Sequence, residues 1–558
     1  MALKDLFRTK PISKILQQGG DGEHSGGLHK VLTVKDLTFF GVAAIIGGGT
    51  FSAIGNACFS GGPGVILLYI ICAVACGFTA MCYAEFASRV PVSGSAYTYA
   101  YVSFGELFAW IIGWALIMEY SIGNIYIAFS WSGYFTNLLE SFHIHLPEWL
   151  TINYTEAHRN FLEQKTGEGF TAWQNAPMLG SLKIIFDLPA VLINVLITYL
   201  VYRGTQESKN LSNLMVYIKL AIILLVIVVG CFYIDIDNWT PFMPNGFGGV
   251  MGGVSAVFFA YIGFDAVSTL AEESKNPQRD LPKGMIYSLV ICTVLYIILA
   301  LILTGMVPYD KLGVTDPLAE IFALKGVRWM LFIVSIAAVV AMTSVMLVFQ
   351  LGQPRIWMTM SRDGLMPKKF SVIHPKFKTP GFATIVTGFV VGLPIFFTDE
   401  TFVLDFTSIG TLFAFVLVCG GVLMLSPHSE AESAENKAKG KFKIPYINAK
   451  FVFPLLVLGA AVVVHYVFPG FFAQTFDFSE NITGNVTMIV FFALCIVMAI
   501  LSFLKNLSLI PVLGLVSCCY LLTGMSLNNW AWFGLWLVLG LMFYFAYGRK
   551  HSKLSVKA

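Results

Sequence analysis

Ala44-Ile45-Ile46-Gly47-Gly48-Gly49-Thr50-Phe51 puts three consecutive glycines in the middle of the first long apolar stretch of the chain. Glycine costs about 1 kcal/mol relative to alanine inside a helix, so three together invite the helix to open. Opened backbone cannot face lipid, where each unpaired N–H or C=O costs several kcal/mol. It persists only where it lines a cavity and its polar groups have something to bind. A second interruption, Phe259-Ala260-Tyr261-Ile262-Gly263-Phe264-Asp265, falls in a later apolar stretch. Two broken helices at corresponding places in two halves of a chain point to the substrate site of a secondary transporter.

Composition agrees with a membrane setting. The 558 residues are 57% hydrophobic and 12% charged, about half the ~25% charge of a soluble chain. Apolar stretches of 18 or more residues recur along the whole length, which reads as an all-α polytopic membrane protein in a lipid bilayer. The polar, basic start of the chain, residues 1–36, lacks the apolar core and small-residue cleavage site of a secretory signal. Within it, Leu6, Phe7, Ile12, Ile15 and Leu16 among Lys4, Arg8, Lys10 and Lys14 read either as a membrane-surface amphipathic piece or as a solvated tail. The ten cysteines fall in or beside apolar spans and form no metal-ligand spacing, so they read as small packing residues.

Fourteen spans are expected, at about residues 37–59, 65–86, 107–138, 184–202, 214–233, 250–270, 285–306, 329–351, 382–397, 402–425, 451–468, 486–504, 509–522 and 530–547. With the N-terminus in the cytoplasm, 28 of the 35 Lys and Arg lie in cytoplasmic segments. Six lie outside (Arg159, Lys165, Lys183, Lys311, Lys325 and Arg328), and Lys219 lies within a span. That asymmetry orients the chain, and an even span number returns the basic tail, residues 548–558, to the cytoplasm. A cell membrane, plasma or inner, is the expected location. The first ten spans divide into residues 37–236 and 237–425, five spans each, both opening on a glycine-interrupted helix. Five is odd, so the second unit enters from the opposite side, as in an inverted repeat. Residues 426–450 read as a charged cytoplasmic linker, and residues 451–547 as four further spans. The outside loop of about residues 140–183 carries His143, His145 and His158, spaced too irregularly for a metal site. Asn153, Asn238, Asn481 and Asn485 head N-glycosylation triplets on the outside, which matter only in a eukaryotic secretory pathway.

A helix broken at mid-membrane exposes amide N–H groups where its second half begins and carbonyls where its first half ends. The amides suit a carboxylate and the carbonyls an ammonium, so two such breaks suit an amino acid. The competing reading of Gly47, Gly48 and Gly49 is close helix packing. Lys219 lies roughly 10 Å into its span. It can snorkel to the surface, or act as a buried amine that gains and loses a proton during transport. Glu119, thirteen residues past Glu106 and so about 20 Å along its helix, is a proton site, a ligand for a cationic side chain, or a hydrogen-bond hub. Asp265 is expected to N-cap the half-helix after the second break, with a direct ligand role as the alternative. Glu85 and the Glu272-Glu273 pair read as interfacial.

The chain resembles the amino acid–polyamine–organocation superfamily, and within it the cationic amino acid transporter branch and its bacterial relatives. The matching segments are residues 41–51, 82–97, 258–273 with Asn276-Pro277-Gln278-Arg279-Asp280, Ser361-Arg362-Asp363-Gly364-Leu365-Met366-Pro367, Thr407-Ser408-Ile409-Gly410-Thr411-Leu412 and Tyr547-Gly548-Arg549-Lys550-His551-Ser552. The resemblance implies a LeuT-like five-plus-five inverted repeat with four additional C-terminal helices, 14 in total. It implies a substrate carboxylate on the backbone of Gly48 and Gly49, beside Gly47. The amine would lie on carbonyls of Ile45, Phe259, Ala260 and Ile262, with Phe264 as a gating aromatic and Phe349 beside the substrate side chain. Lys219 maps to a lysine that stands where other relatives hold sodium, and Glu119 to a glutamate of the third span.

Two departures stand out. Gly48 replaces the usual Thr or Ser, and the last four spans include an extra hairpin, about residues 451–504, beyond the common twelve, which favours the cationic branch in topology without fixing a cationic substrate. Phe349 would narrow the pocket, which argues against arginine. The expected function is a secondary active transporter, proton-coupled, for small neutral L-amino acids, with cationic ones as the alternative. A uniporter or exchanger, or a transporter-like sensor, are the other readings. The tails of about 36 and 10 residues are short for a sensor. An enzyme is not expected, since no metal cluster, nucleophile–base pair or cofactor motif is present. Neither a cofactor nor a nucleic-acid partner is expected.

Overall fold

The computed structural model describes residues 7–11, 30–163, 168–180, 182–314, 316–398, 400–424, 442–467, 482–554, and 471 and 475. Its helices in chain order are α1 Val34–Ile45, α2 Ile54–Gly61, α3 Val65–Arg89, α4 Ser95–Ser103, α5 Glu106–Ser141, α6 Tyr154–Leu162, α7 Glu168–Asn175, α8 Leu188–Arg203, α9 Thr205–Cys231, α10 Gly246–Gly252 and α11 Val254–Phe259. Then follow α12 Pro277–Met306, α13 Pro317–Leu324, α14 Arg328–Arg362, α15 Gly381–Gly392, α16 Glu400–Met424, α17 Ala449–Val467, α18 Ile482–Lys505, α19 Leu509–Leu522 and α20 Leu527–Phe543. Among the described residues ten helical segments are long and apolar enough to cross a membrane, and three shorter apolar helices accompany them. The chain is therefore an integral membrane protein. Its only described strands are the two-residue pair Met178–Leu179 and Leu182–Lys183.

Most of these helices are apolar all round, so burial inside the bundle or lipid contact, rather than amphipathicity, sets their place. The most apolar part of α5 is 83% buried, against 11% for α17 and 17% for the described part of α18. The first is central and the other two peripheral. α5 packs along α14 and α16, and α12 packs along α3 and α1. Paired tryptophans dock α20 on α5. Trp110 Nε1 donates to the Gly540 carbonyl (2.8 Å), Trp114 Nε1 to the Trp536 carbonyl (2.9 Å), and Trp536 Nε1 to the Trp114 carbonyl (3.0 Å). Their rings stack while each N–H finds an acceptor, the arrangement a buried indole needs.

Both expected interruptions are present. α1 ends as Ile46 turns to extended backbone (φ −83°, ψ 99°), and Gly49–Ala53 resumes as a π-turn leading into α2. α11 ends at Phe259, residues 260–263 form turns, and a 3-10 helix runs over Phe264–Glu273.

Several expectations need correction. Asp265 does not cap the second half-helix: Gly263, at φ +118°, holds the cap position, and the helix makes no side-chain cap bond. Glu85 and Glu273, read as interfacial, are buried within the protein, 5% and 1% exposed. Lys219 is not the sole basic residue inside a span, because α14 continues to Arg362 and buries Arg355, which pairs with Glu273. The polar run Gln350 to Arg355 looks in sequence like the end of a span, but the helix passes through it. The histidine-bearing outer loop holds a small folded unit. Ala157, Ala176 and Ile185 form its core, and His158 packs on Trp173 at 4.6 Å between ring centres. Asn153 is 3% exposed and caps α6, accepting from the Glu156 amide at 2.8 Å, so it does not present itself to a glycan. Of the amphipathic N-terminal piece, residues 7–11 lie against the protein; the rest, like Asn481 and most of the 426–450 linker, falls outside the described residues.

Candidate functional site

The two breaks touch. A Cβ on Gly49 would lie 2.4 Å from the Ala260 Cα, and a Cβ on Gly263 would lie 2.7 Å from the Ala44 Cβ. Only glycine allows backbone to meet backbone this closely, and only glycine takes the positive φ of residue 263 without strain. This contact brings the backbone polar groups of both breaks to one place.

Beside it lies a small cavity lined by Ala44, Ile45, Gly47, Gly48, Gly49, Ile127, Phe259, Ile262, Val345 and Phe349. Every lining side chain is apolar or absent, so the polar character of the cavity comes from backbone. No backbone hydrogen bond is donated by Gly47, Gly48 or Gly49 among the described residues. Those three amides open the second half of the first broken helix, where helix geometry leaves donors without partners. On the carbonyl side, Ile45 accepts from the Tyr296 hydroxyl (2.8 Å) and Phe259 from the Ile262 amide (3.2 Å), each leaving one lone pair.

Seven of the residues singled out in the sequence thus line one cavity: Ile45, Gly47, Gly48, Gly49, Phe259, Ile262 and Phe349. Ala260 instead packs its backbone against Gly49. Phe264 is fully buried, 6.0 Å from Tyr83 and 5.1 Å from Phe415 between ring centres, at the start of the Phe264–Glu273 segment. Gly48 has a steric reason to lack a side chain, since a Cβ there would meet the Tyr126 ring at 2.9 Å. Tyr126 in turn stands edge-on to Phe259 at 4.6 Å. Ala44, Ile127 and Val345 were missed, because an apolar residue in an apolar span carries no local mark.

Lys219 does not snorkel. It is fully buried, and its Nζ donates to the Ala43 carbonyl (2.9 Å), the Ile46 carbonyl (2.8 Å) and Ser344 Oγ (2.9 Å). These bonds place a cation on the carbonyls left open at the C-terminal end of α1, where the helix dipole favours positive charge. All three ammonium protons have acceptors. Ser344 donates on to the Ala341 carbonyl at 2.6 Å, which fixes its oxygen toward the lysine. In sequence Ser344 is an unremarkable small polar residue, and only the packing of α9 and α14 on α1 assigns it this position.

Glu119 does not line the cavity. It is fully buried with no well-formed hydrogen bond at either carboxyl oxygen, and Thr411 and Asp265 lie beside it. Asp265 Oδ2 accepts from the Tyr120 hydroxyl at 3.3 Å, while its Oδ1 has no partner. Asn124, also fully buried, has both amide atoms unpartnered. Phe349, which lines the cavity, stacks on Tyr120 (5.4 Å, 15°), and Tyr120 in turn bonds Asp265 of this polar cluster.

Ion pairs follow the second break on the termini side of the bundle. Arg355 binds Glu273, and Arg362 Nη1 reaches both Glu272 oxygens at 3.0 Å. Two amides, Val31 and Leu32, donate to the Glu273 carbonyl, tying the entry of α1 to the same point.

Comparison with known proteins shows the family of the chain. The amino acid permease family matches residues 32–497, and the C-terminal amino acid permease domain matches residues 507–552. The branched-chain amino acid permease BcaP of Bacillus subtilis is 37% identical over 554 residues, 99% of each chain. The methylthioribose transporter of the same organism is 40% identical over 474 residues, 84% of this chain and 94% of the relative. Human cationic amino acid transporter 4 is 31% identical over 604 aligned positions, 98% of this chain and 90% of the relative. These relatives are named as carriers, not enzymes. The chain belongs to the amino acid permease family, within the amino acid–polyamine–organocation superfamily.

Proposed function

We propose that the chain is a proton-coupled symporter of neutral L-amino acids with apolar side chains, working by alternating access. The observation that carries this reading is the cavity itself. It combines free amides, free carbonyl lone pairs and a wholly apolar side-chain wall in one small cavity. The substrate carboxylate binds the amides of Gly47, Gly48 and Gly49. Its ammonium binds carbonyls of Ile45, Phe259 and Ile262, and its side chain packs on Ile127, Val345 and Phe349. Lys219 holds the end of α1 when charged and releases it when neutral, which links proton binding to the shape of the first break. Phe264 moves with the Phe264–Glu273 segment as the termini side opens. The architecture is a five-plus-five inverted repeat followed by four further spans, fourteen in all, with both termini in the cytoplasm of a cell membrane.

The name of the Bacillus relative BcaP supports a branched-chain substrate. The name of the second raises a sugar thioether, which carries neither ammonium nor carboxylate. A uniporter or exchanger with the same site is the second reading. The observation in its favour is that Lys219 is fully satisfied by three acceptors, as a permanent structural cation would be. Equilibrium binding of labelled leucine to the purified protein tests the substrate. Excess isoleucine should displace it, and arginine and methylthioribose should not. Displacement by methylthioribose, or by arginine as readily as by isoleucine, overturns the proposal.

A further inference from the structure

The two ends of the chain meet over one corner of the termini side. Glu106, fully buried at the start of α5, gathers donors from four separate parts of the sequence. They are the hydroxyls of Tyr101 (3.0 Å), Tyr544 (2.9 Å) and Ser552 (2.5 Å), and the Arg8 guanidinium at 3.8 Å. Asp363, at the end of α14, does the same on a smaller scale. It pairs with Lys10, accepts from the Tyr97 hydroxyl at 2.8 Å, and through its carbonyl accepts the Lys553 amide at 3.0 Å. Arg8 also reaches the Leu554 carbonyl directly at 2.9 Å. Backbone bonds complete the seam, from the Lys10 amide to the Tyr101 carbonyl (3.1 Å) and from the Glu106 amide to the Arg8 carbonyl (3.1 Å).

A buried carboxylate with several donors is a demanding arrangement, because each donor withdrawn leaves charge uncompensated in a low-dielectric place. Residues 7–10 and 552–554 are therefore fitted parts of the structure. The helix they cover, α4, touches the second broken helix on its other side. Ser268 Oγ and Ser95 Oγ lie 2.9 Å apart, and the Glu272 amide donates to Ser93 Oγ at 3.1 Å. Glu272 is also the partner of Arg362, one residue from Asp363. Terminal segments, α4 and the Phe264–Glu273 half-helix thus form a continuous chain of contacts.

We propose that the N- and C-terminal segments form a single clasp which, through α4, holds the Phe264–Glu273 half-helix in its closed position. Its bearing on transport rests on the carrier reading above; the mechanical coupling does not. Hydrogen–deuterium exchange of the full-length protein in nanodiscs, without substrate, tests it. Lys10→Asp should release the clasp and raise exchange of the amides of residues 264–274 roughly tenfold, as a shift of one local opening equilibrium. Adding Asp363→Lys should restore slow exchange by re-forming the pair with reversed charges. Ser552→Ala, a milder lesion, should give a smaller rise at the same residues, with α6 on the opposite side unchanged. Unchanged exchange at 264–274 in Lys10→Asp and in Ser552→Ala, while residues 7–10 and 552–554 exchange freely, overturns the coupling. A protein that binds no amino acid yet shows the expected pattern would keep the clasp and remove the carrier.

Discussion

Lys219 and Glu119 are both fully buried charged residues at membrane depth, yet their surroundings are opposite. The lysine has an acceptor for each of its three protons. The glutamate has no well-formed hydrogen bond at either oxygen, with the Thr411 hydroxyl and a second carboxyl group, Asp265, beside it. A buried group that is satisfied holds a structure together, whereas an unsatisfied one is expensive and persists for a reason other than stability. The contrast separates two parts of the site. The lysine holds the carbonyls at the break in α1, and on the proposed reading it is needed whatever the substrate. On the proposed reading the glutamate, which lies outside the cavity lined by Phe349, matters only for a substrate long enough and positive enough to reach it.

The largest expected effect falls on the satisfied side. Lys219→Met leaves the Ala43 and Ile46 carbonyls and Ser344 without their donor, each at a cost of about 1–3 kcal/mol. It should lower thermal stability and abolish accumulation driven by a proton gradient; a variant that still accumulates substrate would remove the lysine from coupling. Next comes Gly49→Ala, whose Cβ would lie 2.4 Å from the Ala260 Cα. Separating the two breaks should cost about 1–3 kcal/mol, as overpacking does, and weaken leucine binding at least tenfold by calorimetry. Wild-type affinity there would mean the breaks do not need to touch.

A smaller effect is expected at the wall of the cavity. Phe349→Ala should weaken leucine binding by roughly tenfold, the loss of apolar contact in a pocket, and let arginine compete for the first time. The smallest is Glu119→Gln in the otherwise natural chain, expected to change leucine uptake by less than about threefold, since the residue is outside the cavity. In the Phe349→Ala background the same change should remove the gained arginine binding. Equal loss for leucine and arginine would make Glu119 a structural hub.

Much of this was legible in sequence, and the reasons differ by region. Apolar length announces a membrane helix because lipid leaves the backbone no other partner, and glycine runs announce the breaks because nothing else opens a helix there so cheaply. Lys219 could be placed in depth but not in direction. Snorkelling and burial share one spacing, and the carbonyls that hold the lysine come from a helix more than 170 residues away, as the separations of 176 and 173 between bonded residues record. Arg355 was hidden because its pairing with Glu273 depends on two helix ends converging. The position of Asp265 followed a capping rule that Gly263 pre-empts by adopting a positive φ. The clasp at Glu106 joins residues 8, 101, 544 and 552, a contact set that no window of sequence contains.

The most direct measurement is uptake of labelled leucine and arginine into proteoliposomes, with and without an inside-alkaline pH gradient. Leucine should accumulate only with the gradient, and arginine should neither accumulate nor compete. Accumulation of arginine, or leucine equilibration that ignores the gradient, would contradict a proton-coupled carrier for apolar amino acids.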